Sequence, residues 1–120
     1  MSVYPMKGVI DMHVHTNPDL RLRAYDDLEL TDAAVKVGAR AIVIKTHQGT
    51  TMDRAYLCNR YNKIVHGDND FTMFGSITLN HPVGGLNPAA VVRDSRIENV
   101  RKYVSWALYA PKPIAIQFHA

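Results

Sequence analysis

Asp11, His13 and His15 occupy alternate positions of the stretch Val9-Ile10-Asp11-Met12-His13-Val14-His15-Thr16. A strand through it turns these three side chains to one face and Ile10, Met12 and Val14 to the other. Two imidazoles placed this way at a strand end can converge on one divalent ion, because nitrogen ligands bind at about 2.0 to 2.1 Å and neighbouring upright side chains can share that ion. The competing reading is a pair of buried structural histidines held by hydrogen bonds. Two imidazoles on one strand face exceed what composition supplies, which favours a metal.

Such a pair needs elements to position it. Thr16-Asn17-Pro18-Asp19 is a turn cluster leading into a polar loop with Arg21 and Arg23. Those arginines are either a clamp for a substrate carboxylate or solvated side chains. Asp26 and Glu29 have capping-box spacing, Leu30, Ala33, Ala34 and Val37 recur at helical intervals, and Gly38 is a left-handed stop, predicting a helix over 26–37. The run Ala41-Ile42-Val43-Ile44 predicts a buried parallel strand ending at Lys45 or Thr46. A helix capped by Thr50 or Thr51 follows, with Leu57, Tyr61, Ile64 and Val65 as its apolar stripe and His66-Gly67 as its end. Residues 71–79 read as a third strand, and Asn87-Pro88 opens a third helix. Residues 102–109 and 114–118 are candidates for further strands.

Strand, loop and helix repeated three times at a spacing of about 30 residues predict an α/β fold of parallel βα units. Folds of this kind gather their sites in the loops beyond the strand ends. Alternation along the second strand sets Ala41, Val43, Lys45 and His47 on the inner face with His13 and His15, and Ile42 and Ile44 against the helices. On the third strand Ser76, Thr78 and Asn80 point inward, so Asn80 joins the rim, while His81 reads as a loop residue. Lys45 is either a site residue or a strand-end side chain reaching solvent. His66 and His119 carry no signal beyond structure, and Tyr56 and Tyr61 fit helix packing.

The 120 residues are 47% hydrophobic and 21% charged, with a net charge of +3, which fits one soluble globular domain. No run approaches the roughly 20 apolar residues needed to span a bilayer, and the N-terminus lacks a signal-peptide core, so no membrane partner is expected and the cytoplasm is the expected location. Cys58 is the only cysteine, which excludes an internal disulfide. Residues 1–92 balance at nine Lys or Arg against nine Asp or Glu, so the positive excess lies in 93–120. Without a basic stripe interleaved with aromatics no nucleic-acid partner is expected, and Arg93, Arg96, Arg101 and Lys102 read as a solvated helix face.

Asp11-Met12-His13-Val14-His15 closing a first strand resembles the HxH signature of the amidohydrolase superfamily and of related metal-dependent phosphoesterases, barrel folds in which these histidines bind metal. Ile44-Lys45-Thr46-His47 and Asn80-His81-Pro82-Val83-Gly84-Gly85-Leu86-Asn87-Pro88 resemble segments of an amidohydrolase-like family of bacterial proteins, and the likeness covers residues 8–92. It implies that the βα units are the first three or four of a TIM-type barrel, and that His13 and His15 hold a divalent metal, zinc by the nature of its ligands. The metal would acidify a water for attack on a carbonyl or phosphoryl centre of a small-molecule substrate. His47 would be the third nitrogen ligand and Asp11 would orient a histidine from behind. Lys45 and Asn80 would serve the reacting centre, with Lys45 anchoring an acidic substrate or, if carboxylated, bridging metals.

A whole barrel of this type needs about 250 residues, and the further ligands its pattern takes from later strands have no counterpart here. The expectation is therefore a metal-dependent hydrolase of amide, ester or related bonds, or the N-terminal fragment of one. It forms a single partial α/β domain over 1–120, with a tail at 93–120 that departs from the pattern. A second copy in a homo-oligomer, or a missing second half, would complete it. The alternative is a non-catalytic half-barrel remnant or assembly module completed by another chain, its histidines structural or binding metal without turnover.

Overall fold

A computed structural model of the chain describes residues 6–95, 105–107 and 116–118. Three short strands, β1 (Ile10–Val14), β2 (Ala41–Ile44) and β3 (Thr72–Phe74), alternate with three helices, α1 (Asp27–Val37), α2 (Met52–His66) and α3 (Pro88–Ser95). The strands make one parallel sheet in the order β1-β2-β3, with Ile10 opposite Ala41 and Ala41 opposite Thr72. The fold is α/β, each parallel strand joined to the next through a helix. Among the described residues no helix is long and apolar enough to cross a membrane.

Local signals account for α1. Asp26 accepts from the Glu29 N–H at 2.8 Å while Glu29 accepts from the Asp26 N–H at 2.9 Å, a complete capping box. Gly38 ends the helix at φ 74°, a conformation that costs glycine little and other residues more. All four residues of β2 are buried, as befits the middle strand of a parallel sheet. Ile42 and Ile44 face α1 and α2, in one core with Leu30, Ala55, Cys58 and Met73. Burying each large aliphatic contributes about 1.5 to 3 kcal/mol.

Helix α2 docks through a different face from the expected one. Leu57, Ile64 and Val65 are 60%, 72% and 53% exposed, whereas Met52, Ala55, Cys58 and Asn62 are buried. Small side chains at Ala55 and Cys58 let the helix approach the sheet closely. Asn59 adds a polar clasp: its amide donates to the Met73 carbonyl and accepts from the Met73 N–H, both at 2.8 Å. That side chain occupies hydrogen-bonding groups on the edge of β3 that a further strand would use.

The third strand is shorter than expected. It ends at Phe74, and residues 75–80 continue as a fully buried connection tied to neighbouring backbone by side chains. Asn87 caps α3, accepting from the Ala90 N–H at 3.2 Å, with Pro88 at its first position. Of the later candidates, Ser105–Ala107 and Ile116–Phe118 are strands β4 and β5, paired with each other in antiparallel fashion. They form a separate two-stranded sheet and do not extend the parallel one. The remainder of 102–109 and 114–118 lies outside the described residues.

Candidate functional site

The ends of β1 and β2 bring three histidines and a lysine together. His13 and His15 face each other with their Nε2 atoms 3.1 Å apart. That is a hydrogen-bond distance, and two nitrogens bound to one tetrahedral ion at the usual distance would lie about 3.3 Å apart. His47, just beyond β2, stacks on His15 with ring centroids 4.9 Å apart and planes inclined by 21°. It lies against the face of His15, and among the described residues no group of three or more His, Cys, Asp or Glu side chains is arranged to hold a metal ion.

Lys45 lies on the same face and is 3% exposed, so it does not run out to solvent. Its charge reaches all three imidazoles. Burial first and then Lys45 lower the basicity of His13, against the pull of Asp11. The same two causes, with Arg23 and the other two histidines, push His15 down to about 4. His47 is lowered by burial and Lys45, with Arg23 and Arg21 adding to the effect and Asp19 opposing it. Burial likewise lowers Lys45, Asp19 opposing and Arg23 assisting. Neutral imidazoles are the form in which histidine binds a metal.

Behind His15 stands Asp19, a residue for which the sequence offered only a turn position. Its Oδ2 lies 3.5 Å from His15 Nδ1, with only 1% of the carboxylate side chain exposed. His15 Nδ1 is itself buried and makes no hydrogen bond. Burial alone would raise the Asp19 carboxyl, but hydrogen bonds from Arg23 and the Leu20 N–H, together with the charges of Arg23 and His15, hold it below the usual range. Arg23 Nε donates to Asp19 at 2.6 Å, so this arginine is engaged with the protein. Arg21 stays exposed at the lip of the site.

The supporting shell is made of hydrogen bonds across long stretches of chain. Thr51 and Ser76 hydroxyls donate to the Ile44 carbonyl at 2.6 and 2.8 Å, and Thr78 donates to Thr46 at 2.6 Å. The Asn80 amide donates to the His47 carbonyl at 3.0 Å. Ser76, Thr78 and Asn80 do point inward, and there they hold the end of β2 that carries Lys45 and His47. The Asp11 carboxylate accepts from the backbone N–H of His13 at 3.0 Å, and its charge also bears on the His13 imidazole.

Arg54 of α2 secures the other side. It bonds both Asp27 oxygens, at 2.7 and 2.8 Å, and Thr16 Oγ1 at 2.8 Å, while the Thr16 hydroxyl donates to Asp27. The Asn17 amide closes the loop by donating to the Arg23 carbonyl at 2.9 Å and accepting from the Arg23 N–H at 3.0 Å. The spacing of Asp19 and Arg23, an acid four residues before a base, is a signal that could have found that ion pair. Nothing local marks Arg54.

The model of a family described as of unknown function, DUF6282, matches residues 8–107. No curated protein and no solved structure matches the chain.

Proposed function

The chain belongs to DUF6282, and we propose that this member carries a divalent-metal site for hydrolysis of an amide, ester or related bond in a small molecule. The observation that carries the reading is the His13–His15 pair, with Nε2 atoms 3.1 Å apart at the C-terminal end of a parallel sheet. His13 and His15 would hold the ion through Nε2, and His47 is the remaining nitrogen donor beside them. Asp19 faces Nδ1 of His15, the position from which a carboxylate fixes the tautomer of a metal-binding imidazole. An all-nitrogen donor set suits zinc. Bound there, such an ion would acidify a water to near neutrality and polarise the bond under attack. Ser76, Thr78 and Asn80 keep the β2 end rigid, and Lys45 supplies positive charge beside the histidines.

The βα units are read as the first units of a TIM-type barrel of the amidohydrolase kind, completed by another copy or by further chain. The free, buried Cys58 suits a reducing cytoplasm. A second reading, a non-catalytic half-barrel remnant, is favoured by one observation: the Asn59 side chain occupies edge groups of β3 that the next barrel strand would need.

Metal content of the purified chain, compared with the double variant His13→Ala, His15→Ala, tests the site. The hydrolase reading expects about one divalent ion per chain in the wild type and loss of it in the variant. No ion in either sinks that reading. Metal without hydrolysis of a panel of esters, lactones and amides leaves the remnant reading ahead.

A further inference from the structure

Lys45 is a buried cation that lacks a counter-ion. The residue is 3% exposed, and its ammonium makes no hydrogen bond or ion pair among the described residues. Burying a charge is costly unless it is paired. Asp19, the acid whose charge bears on it, is already bonded to Arg23 Nε at 2.6 Å and to the Leu20 N–H at 2.7 Å. Arg21, which also bears on His47, makes no ion pair among the described residues either. The rim therefore holds more positive charge than its own carboxylates neutralise, with the deepest cation beside the three imidazoles.

We propose that Lys45 is the anchor for an oxyanion, a carboxylate or phosphate group of the substrate, with Arg21 at the mouth of the same site. Such a group brings the acceptor oxygens that the Lys45 ammonium lacks among the described residues, and a charge-assisted N–H···O bond is about twice as strong as a neutral one. The anchor deepens the hydrolase reading by naming its substrate class, and it rests on that reading for the reaction alone. Binding of the anion requires only Lys45 and its neighbours.

The test uses the full chain in chelator, titrated with inorganic phosphate and with succinate at constant ionic strength in chloride. One of the two should bind once per chain, and which one is the tighter identifies phosphate or carboxylate as the group recognised. Lys45→Met, close in shape, should weaken that binding at least tenfold, while Lys45→Arg should stay within about fivefold of the wild type. Equal binding by wild type and Lys45→Met, or no binding of either anion to the wild type, overturns the inference. If Lys45→Met does not fold, the wild type alone decides. The favoured anion must then raise its Tm above the chloride control and slow acylation of Lys45 followed by mass spectrometry, and failure of either overturns the inference. Anion binding by a chain that also holds no metal when purified without chelator would remove only the hydrolase reading, and metal binding without an effect at Lys45 would remove only the anchor.

Discussion

Cys58 packs under α1, its thiol donating to the Asp27 carbonyl at 3.6 Å, and burial pushes it up to about 11. Since the thiolate is the reactive form, the folded chain should react with a disulfide reagent at pH 8 about a hundredfold more slowly than the urea-unfolded chain. Equal rates would mean that the α1–α2 seam is open. Asp32 accepts from the Tyr61 hydroxyl at 3.0 Å and lies 2.7 Å from His66 Nε2. The hydrogen bond with His66 holds its carboxyl below the usual range against burial, with Tyr61 and the charge of His66 assisting. Its stabilising contribution is therefore complete above the unfolded carboxylate pKa and is lost as the pH falls through the lower folded value. Asp32→Asn should flatten the loss of stability below about pH 4, read from urea midpoints, and an unchanged acid limb would refute this role. At this scale His13, His15, Lys45 and His47 were legible because alternation alone sorts strand residues by face. Asp19 was not, because a turn position does not say which way its carboxylate folds back, and Arg54 was not, because its role arises only when distant segments meet.

Elements were legible where their signals are local. The capping box and Gly38 define α1 within a residue, and four consecutive apolar residues mark β2 as the middle strand. On α2 the largest apolar side chains suggested the wrong face, because close approach to the sheet favours small residues and Asn59 and Asn62 bond to backbone around β3. The β3 end is equally tight. A Cβ on Gly75 would lie 2.6 Å from Met52 Cα, and backbone there cannot move aside without undocking α2. Gly75→Ala should cost about 1 to 3 kcal/mol, measured by urea unfolding. A neutral result would mean that the β3–α2 junction has slack.

For the whole molecule, the parallel βα order was legible from the spacing of strands and helices. The antiparallel pairing of β4 with β5 was not, since short strands carry no mark of their partner. Missing barrel strands would suggest association through open sheet edges, yet Asn59 occupies Met73 on one side and Asp11 bonds the His13 N–H on the other. The exposed apolar stripe of α2, Leu57 with Ile64, is the better candidate for self-contact. Light scattering should give a mass that rises with concentration, reduced by Leu57→Lys with Ile64→Lys. A sharp monomer mass throughout would count against it. Arg54 has a wider effect, because it fastens the Thr16–Asp27 corner from a helix that follows β2. The loop carrying Asp19 then cannot loosen separately from α2, and opening of the rim becomes part of cooperative unfolding. Amide protons of Asn17 and Leu20 should accordingly exchange with solvent at the pace of α2, not at the faster pace of a surface loop.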